Sequence, residues 1–258
     1  MMARRIEEAA ELRAIPITGM GEILPEDSVA DAIASALRRQ RLKLVPGDIL
    51  VVTHKIVSKA EARMVVLDRV QPSPASRRWA ARYRLDARMV QLALQQGKRV
   101  VRRGRGVTIT ETAHGFVCAN SGVDASNVDG GRCAVLLPAD PDRSARELRR
   151  AIRKNLGVSV PVLITDSFGR PWREGLCEVA IGVAGMKPFR DFRGRRDPHG
   201  YRLRASLEAV ADELACMAGL ACGKLSRSPA CIIRGFCYET GSGGTRSIIR
   251  PIKRDLFR

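Results

Sequence analysis

Aromatic residues are scarce in this chain, at 4% of 258 positions, so its core must depend on Val, Ile, Leu and Ala. Scarce aromatics also count against a nucleic-acid binder that stacks bases on exposed rings. Long apolar runs are missing too, since none approaches the roughly 20 residues that a membrane span requires. The first residues carry acids early and have no hydrophobic signal core. We therefore expect a cytoplasmic protein without membrane contact.

Paired cysteines and spaced histidines are also lacking. The seven cysteines are odd in number, and no two form a CxxC pair, which argues against a zinc ribbon or a thioredoxin-like site. His114 and His199 have no partner at metal-ligand spacing. We therefore expect reduced cysteines that are mostly embedded in apolar segments, as in a cytosolic protein.

Acidic residues are outnumbered, with 27 Asp and Glu against 45 Lys and Arg, which gives a net charge of +18. Such a charge attracts nucleic acid, acidic membranes or small polyanionic substrates, and it does not determine the fold. Local arginine clusters lie at 102–105, 149–154 and 193–196. Two interpretations of these clusters remain open, namely solvated faces of a basic protein or a funnel for anions.

Apolar spacing predicts a mixture of helices and strands. Helices are predicted at 28–39, 77–96, 144–156 and 203–222, the third opened by a capping box at Ser144 and closed by Gly157. Strands are predicted at 49–52, 99–102, 107–110, 116–118, 160–165 and 230–233. Because helices and strands do not alternate strictly, we expect an α+β fold of mixed sheets with flanking helices.

The densest group of polar residues is the segment NSGVDASN at 120–127, after a predicted strand that ends at Cys118. Asp124 on such a loop is able to bind a hard cation, while Ser and Asn side chains hold a phosphate or a water. A plain turn is the competing interpretation, because these residue types favour turns through local hydrogen bonds.

A second segment, ITDSFGR at 164–170, again places an acid at the end of an apolar strand. Asp166 would share one divalent ion with Asp124, and Ser167 offers a hydroxyl ligand. Arg170 offers a planar guanidinium that is able to bind phosphate or carboxylate through two parallel hydrogen bonds. The alternative is that Asp166 and Ser167 cap the next element, although two acids that each follow an apolar strand favour the metal.

A third segment, HKIVSKAEAR at 54–63, directly follows the strand predicted at 49–52. Its basic residues suit nucleotide phosphates. The competing interpretation is a solvated helix start in which Glu61 pairs locally. If the segment is helical, Lys55 and Lys59 share one face, one turn apart.

Seven segments, in this order, resemble the coenzyme F420-0:L-glutamate ligase family, also called the F420 γ-glutamyl ligases. They are PITGMGEI (16–23), VVTHKIVSKAE (51–61), NSGVDASN (120–127), ITDSFGR (164–170), AIGVAG (180–185), GRRD (194–197) and CIIRG (231–235). Each match is weak alone, whereas seven collinear matches over about residues 14 to 236 are hard to obtain by chance.

The resemblance implies a GTP-dependent ligase that adds L-glutamate to coenzyme F420-0 through an acyl phosphate, and then adds further γ-linked glutamates. It implies an intertwined homodimer of an unusual two-lobed α+β fold that uses Mg or Mn, with potassium assisting. We expect a single domain, with lobes of about 1–90 plus 205–258 and of 91–204. A C-terminal nitroreductase-like domain is not expected.

The resemblance also assigns roles to residues. Asp124 and Asp166 would hold one divalent ion and Ser167 a second, and both acids with Lys59 form the expected catalytic set. Nucleotide contacts would fall to Met20, Gly21, Glu22, Ile23, His54, Lys55, Lys59 and Asn127. Archaeal relatives carry an acidic metal ligand in the loop before the final strand, where this chain has Lys224. That departure puts a second metal site in doubt, and Lys224 is expected to supply a charge there as a cofactor-binding residue.

Two other functions remain open from the sequence. One is a paralogous ligase that glutamylates or amidates another acidic cofactor, and the other is a basic nucleic-acid-binding protein. Few aromatics and the lack of a helix-turn-helix, zinc or RNP signature argue against specific nucleic-acid binding. ATP instead of GTP is also open as the phosphate donor.

Overall fold

The computed structural model describes residues 11–126 and 128–256. The helices are α1 (Val29–Arg39), α2 (His54–Ala60), α3 (Pro74–Tyr83), α4 (Ala87–Gln96), α5 (Pro141–Leu156) and α6 (Val210–Cys222). The strands are β1 (Arg13–Ile17), β2 (Ile49–Thr53), β3 (Met64–Val66), β4 (Gly97–Gly104), β5 (Val107–Thr112), β6 (Val117–Ala119), β7 (Cys133–Val135), β8 (Val162–Arg170), β9 (Arg173–Ala184), β10 (Arg190–Asp191), β11 (Leu207–Glu208) and β12 (Ala230–Arg234). This mixture confirms the α+β class.

The largest sheet has five strands in the order β1-β12-β2-β8-β9. Only the pairing of β2 with β8 is parallel within it. Side chains of β2 alternate between the two faces. Leu50 and Val52 pack in the core formed with α1 and α5, and Ile49 and Val51 pack in the core beneath α6. Burial on both faces explains why β2 is apolar from Ile49 to Val52.

Three smaller sheets complete the fold: β4-β5-β6, β3-β7 and β10-β11. The β4-β5-β6 sheet carries the chain into the 120–126 loop, and α4 packs against that loop. The large sheet contains residues of both expected lobes, because β8 and β9 lie within 91–204. Along the described ranges, no helix combines the length and apolar character needed to cross a bilayer.

Two predicted helices are wrong in extent. The predicted helix 77–96 is divided into α3 and α4, because Arg84 adopts a left-handed conformation (φ 55°) and Asp86 then caps α4 by accepting the Arg88 N–H at 2.8 Å. The predicted helix 203–222 begins only at Val210, since the preceding residues include β11. Apolar spacing alone does not show either interruption.

The start of the predicted helix 144–156 is also wrong. The helix begins at Pro141, and Asp140 caps it by accepting the Arg143 N–H at 2.9 Å. Asp followed by Pro is a strong start signal, because Pro fits the first helical position. Ser144 instead lies inside the helix, where its hydroxyl donates to Glu61. The predicted end is confirmed, since Gly157 adopts φ 71°.

The remaining predicted elements are confirmed, although their bounds shift: β6 begins one residue later than predicted, and β8 begins two residues later and ends five residues later, at Arg170. All seven cysteines are free. Three of them are buried, at Cys118, Cys133 and Cys231, whereas Cys237 is exposed. Burial, followed by the nearby Asp166 charge, raises the pKa of the Cys118 thiol to about 12. That thiol therefore stays protonated and is a poor nucleophile.

Candidate active site

The ends of β2 and β8 bring two of the predicted segments together. These strands are parallel, with Thr53 opposite Thr165, so the residues that follow them lie side by side. His54 Nε2 lies 3.2 Å from Asp166 Oδ1. The meeting of the 54–63 and 164–170 segments therefore rests on the register of one strand pair.

Asp166 does not end its strand, contrary to the sequence interpretation. β8 continues to Arg170 as one arm of a hairpin with β9, and only its buried part ends at Thr165. The register shifts between Ile164 and Thr165, and such a bulge redirects the side chains that follow. Asp166 Oδ1 accepts the Ser167 N–H at 2.8 Å.

His54 is buried, with 1% of its side chain exposed. Its Nδ1 lies 3.3 Å from Ser58 Oγ, whereas Nε2 makes no hydrogen bond with any described group despite its closeness to Asp166. The contact with Asp166 is thus one of proximity rather than of hydrogen-bond alignment. An imidazole in this position restricts where the Asp166 carboxylate can lie.

Asp124 is held by Lys55 and by its own loop. Lys55 Nζ lies 2.8 Å from Asp124 Oδ2, and the Ser126 N–H donates to Asp124 Oδ1 at 2.7 Å. Burial acts to raise the pKa of Asp124, but the Lys55 and Ser126 hydrogen bonds outweigh it and hold that pKa below its ordinary value. Asp124 is therefore a carboxylate at neutral pH, with Lys55 as its counter-ion.

A tight turn positions Asp124. The Asp124 N–H donates to the Val135 carbonyl at 3.1 Å, and the Val135 N–H donates to the Asp124 carbonyl at 2.7 Å. Gly122, two residues before Asp124, has φ 69°, and a Cβ there would lie 2.9 Å from the Leu137 side chain. Only glycine fits this turn, because the backbone is left-handed and the space is filled. The plain-turn interpretation and the functional one are therefore compatible, since the turn orients the carboxylate.

Lys59 joins the 20–23 segment to α2. Its Nζ donates to Glu22 Oε1, and 9% of the Lys59 side chain is exposed against 71% of Glu22. The interpretation of 54–63 as a solvated helix start is wrong, because most of α2 is buried and Glu61 accepts from Ser144, 83 positions away. Lys55 and Lys59 each face a carboxylate, so their charges are partly compensated.

A cavity of about 300 Å³ is lined in part by the 20–23 segment. Glu22, Asp27 and Asp31 are among its lining residues. Lys59 partly neutralises Glu22, but Asp27 and Asp31 add further negative charge that would repel a nucleotide triphosphate, so this cavity is a poor phosphate site. A phosphate site at the lysines of α2 stays a prediction.

Glu178 is a site residue that the sequence interpretation missed. It lies opposite Ser167 in the β8–β9 hairpin, and Ser167 Oγ donates to Glu178 Oε1 at 2.5 Å. Lys224 Nζ donates to Ser167 Oγ at 3.2 Å, so the three side chains form one chain of contacts. The hairpin register creates this cluster, and the sequence alone does not distinguish Glu178 from Glu174, the other acid on β9.

The other expected nucleotide residues are less informative. Ile23 is buried at 4% exposure and, with Met20, packs against the main core. Gly21 lines the acidic cavity. Asn127 lies outside the described residues.

Oxygen donors suited to a hard cation are present. Asp124, Asp166, Ser167 and Glu178 offer carboxylate and hydroxyl oxygens, the donors that Mg and Mn prefer. Within residues 11–126 and 128–256, however, no group of three or more His, Cys, Asp or Glu side chains is close enough to hold a metal. A shared ion at Asp124 and Asp166 stays a prediction.

Comparisons with known proteins agree with the order of these segments. The family model described as F420-0:Gamma-glutamyl ligase matches residues 19–235. The coenzyme F420:L-glutamate ligase of Methanothermobacter thermautotrophicus is 41% identical over 247 residues, which cover 95% of this chain and 98% of that relative. The protein of the same name from Methanopyrus kandleri is 42% identical over 252 residues, covering 96% and 98%. That from Methanocaldococcus jannaschii is 42% identical over 213 residues, covering 82% and 85%. With matches of this length, the chain belongs to the F420-0:gamma-glutamyl ligase family.

Proposed function

We propose that this chain joins L-glutamate to coenzyme F420-0 and uses GTP to activate the acceptor carboxylate. The observation that carries the proposal is the start of α2 at the parallel β2–β8 edge, where His54 lies beside Asp166 and Lys55 lies beside Asp124. Family membership and the names of the relatives support the acceptor and the amino acid. Net positive charge suits a reaction whose substrates are all anionic.

The chemistry begins with an unreactive carboxylate. An acceptor carboxylate oxygen attacks the γ-phosphorus of GTP, the bond to the bridging oxygen breaks, and GDP leaves. The glutamate nitrogen then attacks the acyl carbon, phosphate leaves with the bonding electron pair, and the nitrogen loses a proton. Both steps require the charge of the transferring phosphoryl group to be neutralised.

The residues of the chain fit this requirement. Lys55 and Lys59 are placed to attract phosphate oxygens, and a ligand would compete with Asp124 and Glu22 for them. Asp124, Asp166 and Ser167 would hold a divalent Mg or Mn, which neutralises phosphate charge and orients the oxygens when bound. His54 limits the movement of Asp166. The Lys224 ammonium lies beside Ser167, where it would stabilise the negative charge of an anionic intermediate.

Isotope labelling tests this proposal. F420-0 carrying ¹⁸O in its carboxylate is incubated with L-glutamate and GTP, or with ATP, and the product and phosphate are analysed by mass spectrometry. We expect one glutamate to be added, with one ¹⁸O transferred to phosphate, and with GTP preferred. Glutamylation without ¹⁸O in phosphate would exclude the acyl phosphate, and no glutamylation of F420-0 would favour a paralogue with another acceptor.

Substitution of the acids tests the assigned site. Asp124→Asn and Asp166→Asn should each reduce turnover to background while the melting temperature stays close to wild type. Asp129→Asn is the matched control, because Asp129 lies five residues after Asp124, pairs with Arg132 and is 43% exposed. Turnover near wild type in either site variant, with unchanged Mg or Mn affinity, would show that the metal assignment is wrong.

A further inference from the structure

Positive charge is concentrated in one part of the chain. Residues 71–107 contain ten Lys and Arg against one acid, Asp86, and so carry +9 of the net +18. These residues form α3, α4, β4 and the turn into β5. The proposed reaction uses none of them, so their charge has no role yet.

These basic elements pack together. The Arg103 guanidinium lies 4.1 Å from the centre of the Trp79 ring, which joins β4 to α3. A Cβ at Gly106 would lie 3.3 Å from Tyr83 Cβ, so the β4–β5 turn also contacts the end of α3. The cations of helix and hairpin therefore belong to one region of the surface.

We call its exposed, unpaired members the basic surface: Arg78, Arg82, Arg84, Lys98, Arg102 and Arg105. Across the described part of the chain, none of these six has a carboxylate within 4 Å. Their neighbours differ, since Arg88 pairs with Asp68 and Arg99 pairs with Glu111. Six uncompensated cations repel one another, and a bound polyanion would relieve that repulsion.

The basic surface begins beside the candidate active site. β4 starts at Gly97, where a Cβ would lie 3.1 Å from Ser121 Oγ. Ser121 precedes Asp124 by three residues, which span at most about 11 Å. β4 then runs for eight residues, or about 26 Å, as an edge strand of its sheet. A flexible chain that leaves the site along β4 would therefore meet Lys98, Arg102 and Arg105 in turn.

We propose that the basic surface binds the growing γ-linked oligoglutamate tail of the product, an inference that rests on the proposed function. Each γ-linked glutamate adds one free α-carboxylate, so the tail is a flexible polyanion of repeating carboxylates. Arginine binds carboxylate with two parallel hydrogen bonds, and such bonds hold a tail without reading its sequence. Binding of the tail keeps its terminal carboxylate near the site for the next addition.

Single-stranded nucleic acid is a weaker candidate for the same surface. Such ligands are held by rings on which bases stack. Here Trp79 is covered by Arg103, and Tyr83 packs against the hairpin turn. The surface therefore offers charge without an open stacking platform, which suits carboxylates that have no ring.

A binding experiment with matched variants tests the proposal. The variant carries Lys98→Gln, Arg102→Gln and Arg105→Gln, and the control carries Arg146→Gln, Arg150→Gln and Lys154→Gln on the exposed face of α5. Both lose three positive charges. We measure affinity for a γ-linked hexaglutamate peptide by calorimetry, with single-stranded DNA and anionic vesicles as competing ligands, and we check folding by melting temperature.

We expect the hairpin variant to bind the peptide about tenfold more weakly than wild type, because each exposed ion pair contributes roughly a factor of two. The control should bind like wild type. In turnover assays, the first glutamate should be added normally by the variant, whereas the Michaelis constant for an already glutamylated acceptor should rise about tenfold.

Three outcomes would overturn the tail assignment alone, and a fourth would overturn it together with the proposed function. Equal losses in variant and control would show a general charge effect, and tight binding of DNA or vesicles without peptide binding would assign the surface to those ligands. If wild type adds the first glutamate normally but does not bind the peptide, the tail site is refuted while the proposed function stands. No glutamylation of F420-0 by wild type would instead refute the proposed function, and the tail assignment with it.

Discussion

Lys59→Met separates a nucleotide contact from a structural one. The Lys59 side chain, on α2, is 9% exposed, and its partner Glu22 is 71% exposed. If the ammonium contacts a GTP phosphate, its loss removes a charged hydrogen bond of about 1.5–3 kcal/mol. The apparent Michaelis constant for GTP should then rise about ten- to hundredfold, and turnover should fall.

The effect of Lys59→Met on stability should be small. An ion pair with an exposed partner contributes about 0–1 kcal/mol, and removal of a buried ammonium recovers part of its desolvation cost. A loss of about 1 kcal/mol would lower the melting temperature of a chain of this size by roughly 2–4 °C. Without nucleotide, the melting temperature should therefore stay within that range of wild type.

Steady-state kinetics with GTP and with glutamate varied separately, together with thermal melting, provide the assay. Lys187→Met is the matched control, because Lys187 also pairs with a carboxylate, Glu239, on another part of the surface. Glu22→Gln should leave or lower the Michaelis constant for GTP, since it releases Lys59 from a competing anion. A melting temperature lowered by more than 10 °C, with unchanged GTP kinetics, would show that Lys59 is structural.

Two further predictions concern the loop and α6. Gly122→Ala should lower the melting temperature and turnover together, because alanine at φ 69° is strained and its Cβ meets Leu137; unchanged turnover would show that the turn does not position Asp124. Burial raises the pKa of Asp212 in the folded protein above its value in the unfolded chain. The folded protein therefore loses stability as the pH rises from the unfolded-state pKa through the folded-state pKa. Asp212→Asn keeps an acceptor for a backbone N–H of β9, so it should raise the melting temperature at pH 7 and lose that gain below about pH 4; a lower melting temperature at both pH values would contradict this.

The sequence predicted which strands and helices position the candidate site better than it predicted where those elements begin and end. The apolar runs of β2, β8 and β12 are continuous because these strands are buried on both faces, and that signal is local. The break at Arg84 depends on a left-handed residue, which no residue type announces, and α6 starts late because β10 and β11 pair across its expected beginning. Tertiary pairing overrides helical spacing in such places.

The candidate site shows the same division. Asp124 and Asp166 stand out because a polar residue follows an apolar run in each case. Glu178 gives no such signal, since its place beside Ser167 depends on the register of a long hairpin with two irregularities. The burial of His54 was also unforeseen, because its motif is basic and reads as solvated.

The position of β12 in the large sheet has a consequence for synthesis of the chain. β12 lies between β1 and β2, although it is made some 180 residues after β2. A nascent chain therefore exposes β1 and β2 before β12, the strand that pairs with both of them, has been made. In that state, β1 is able to pair directly with β2 in the position that β12 later occupies. Such a pairing must open before β12 can insert, so we expect a slow final step in folding and a dependence on chaperones while the ribosome still holds the carboxyl end.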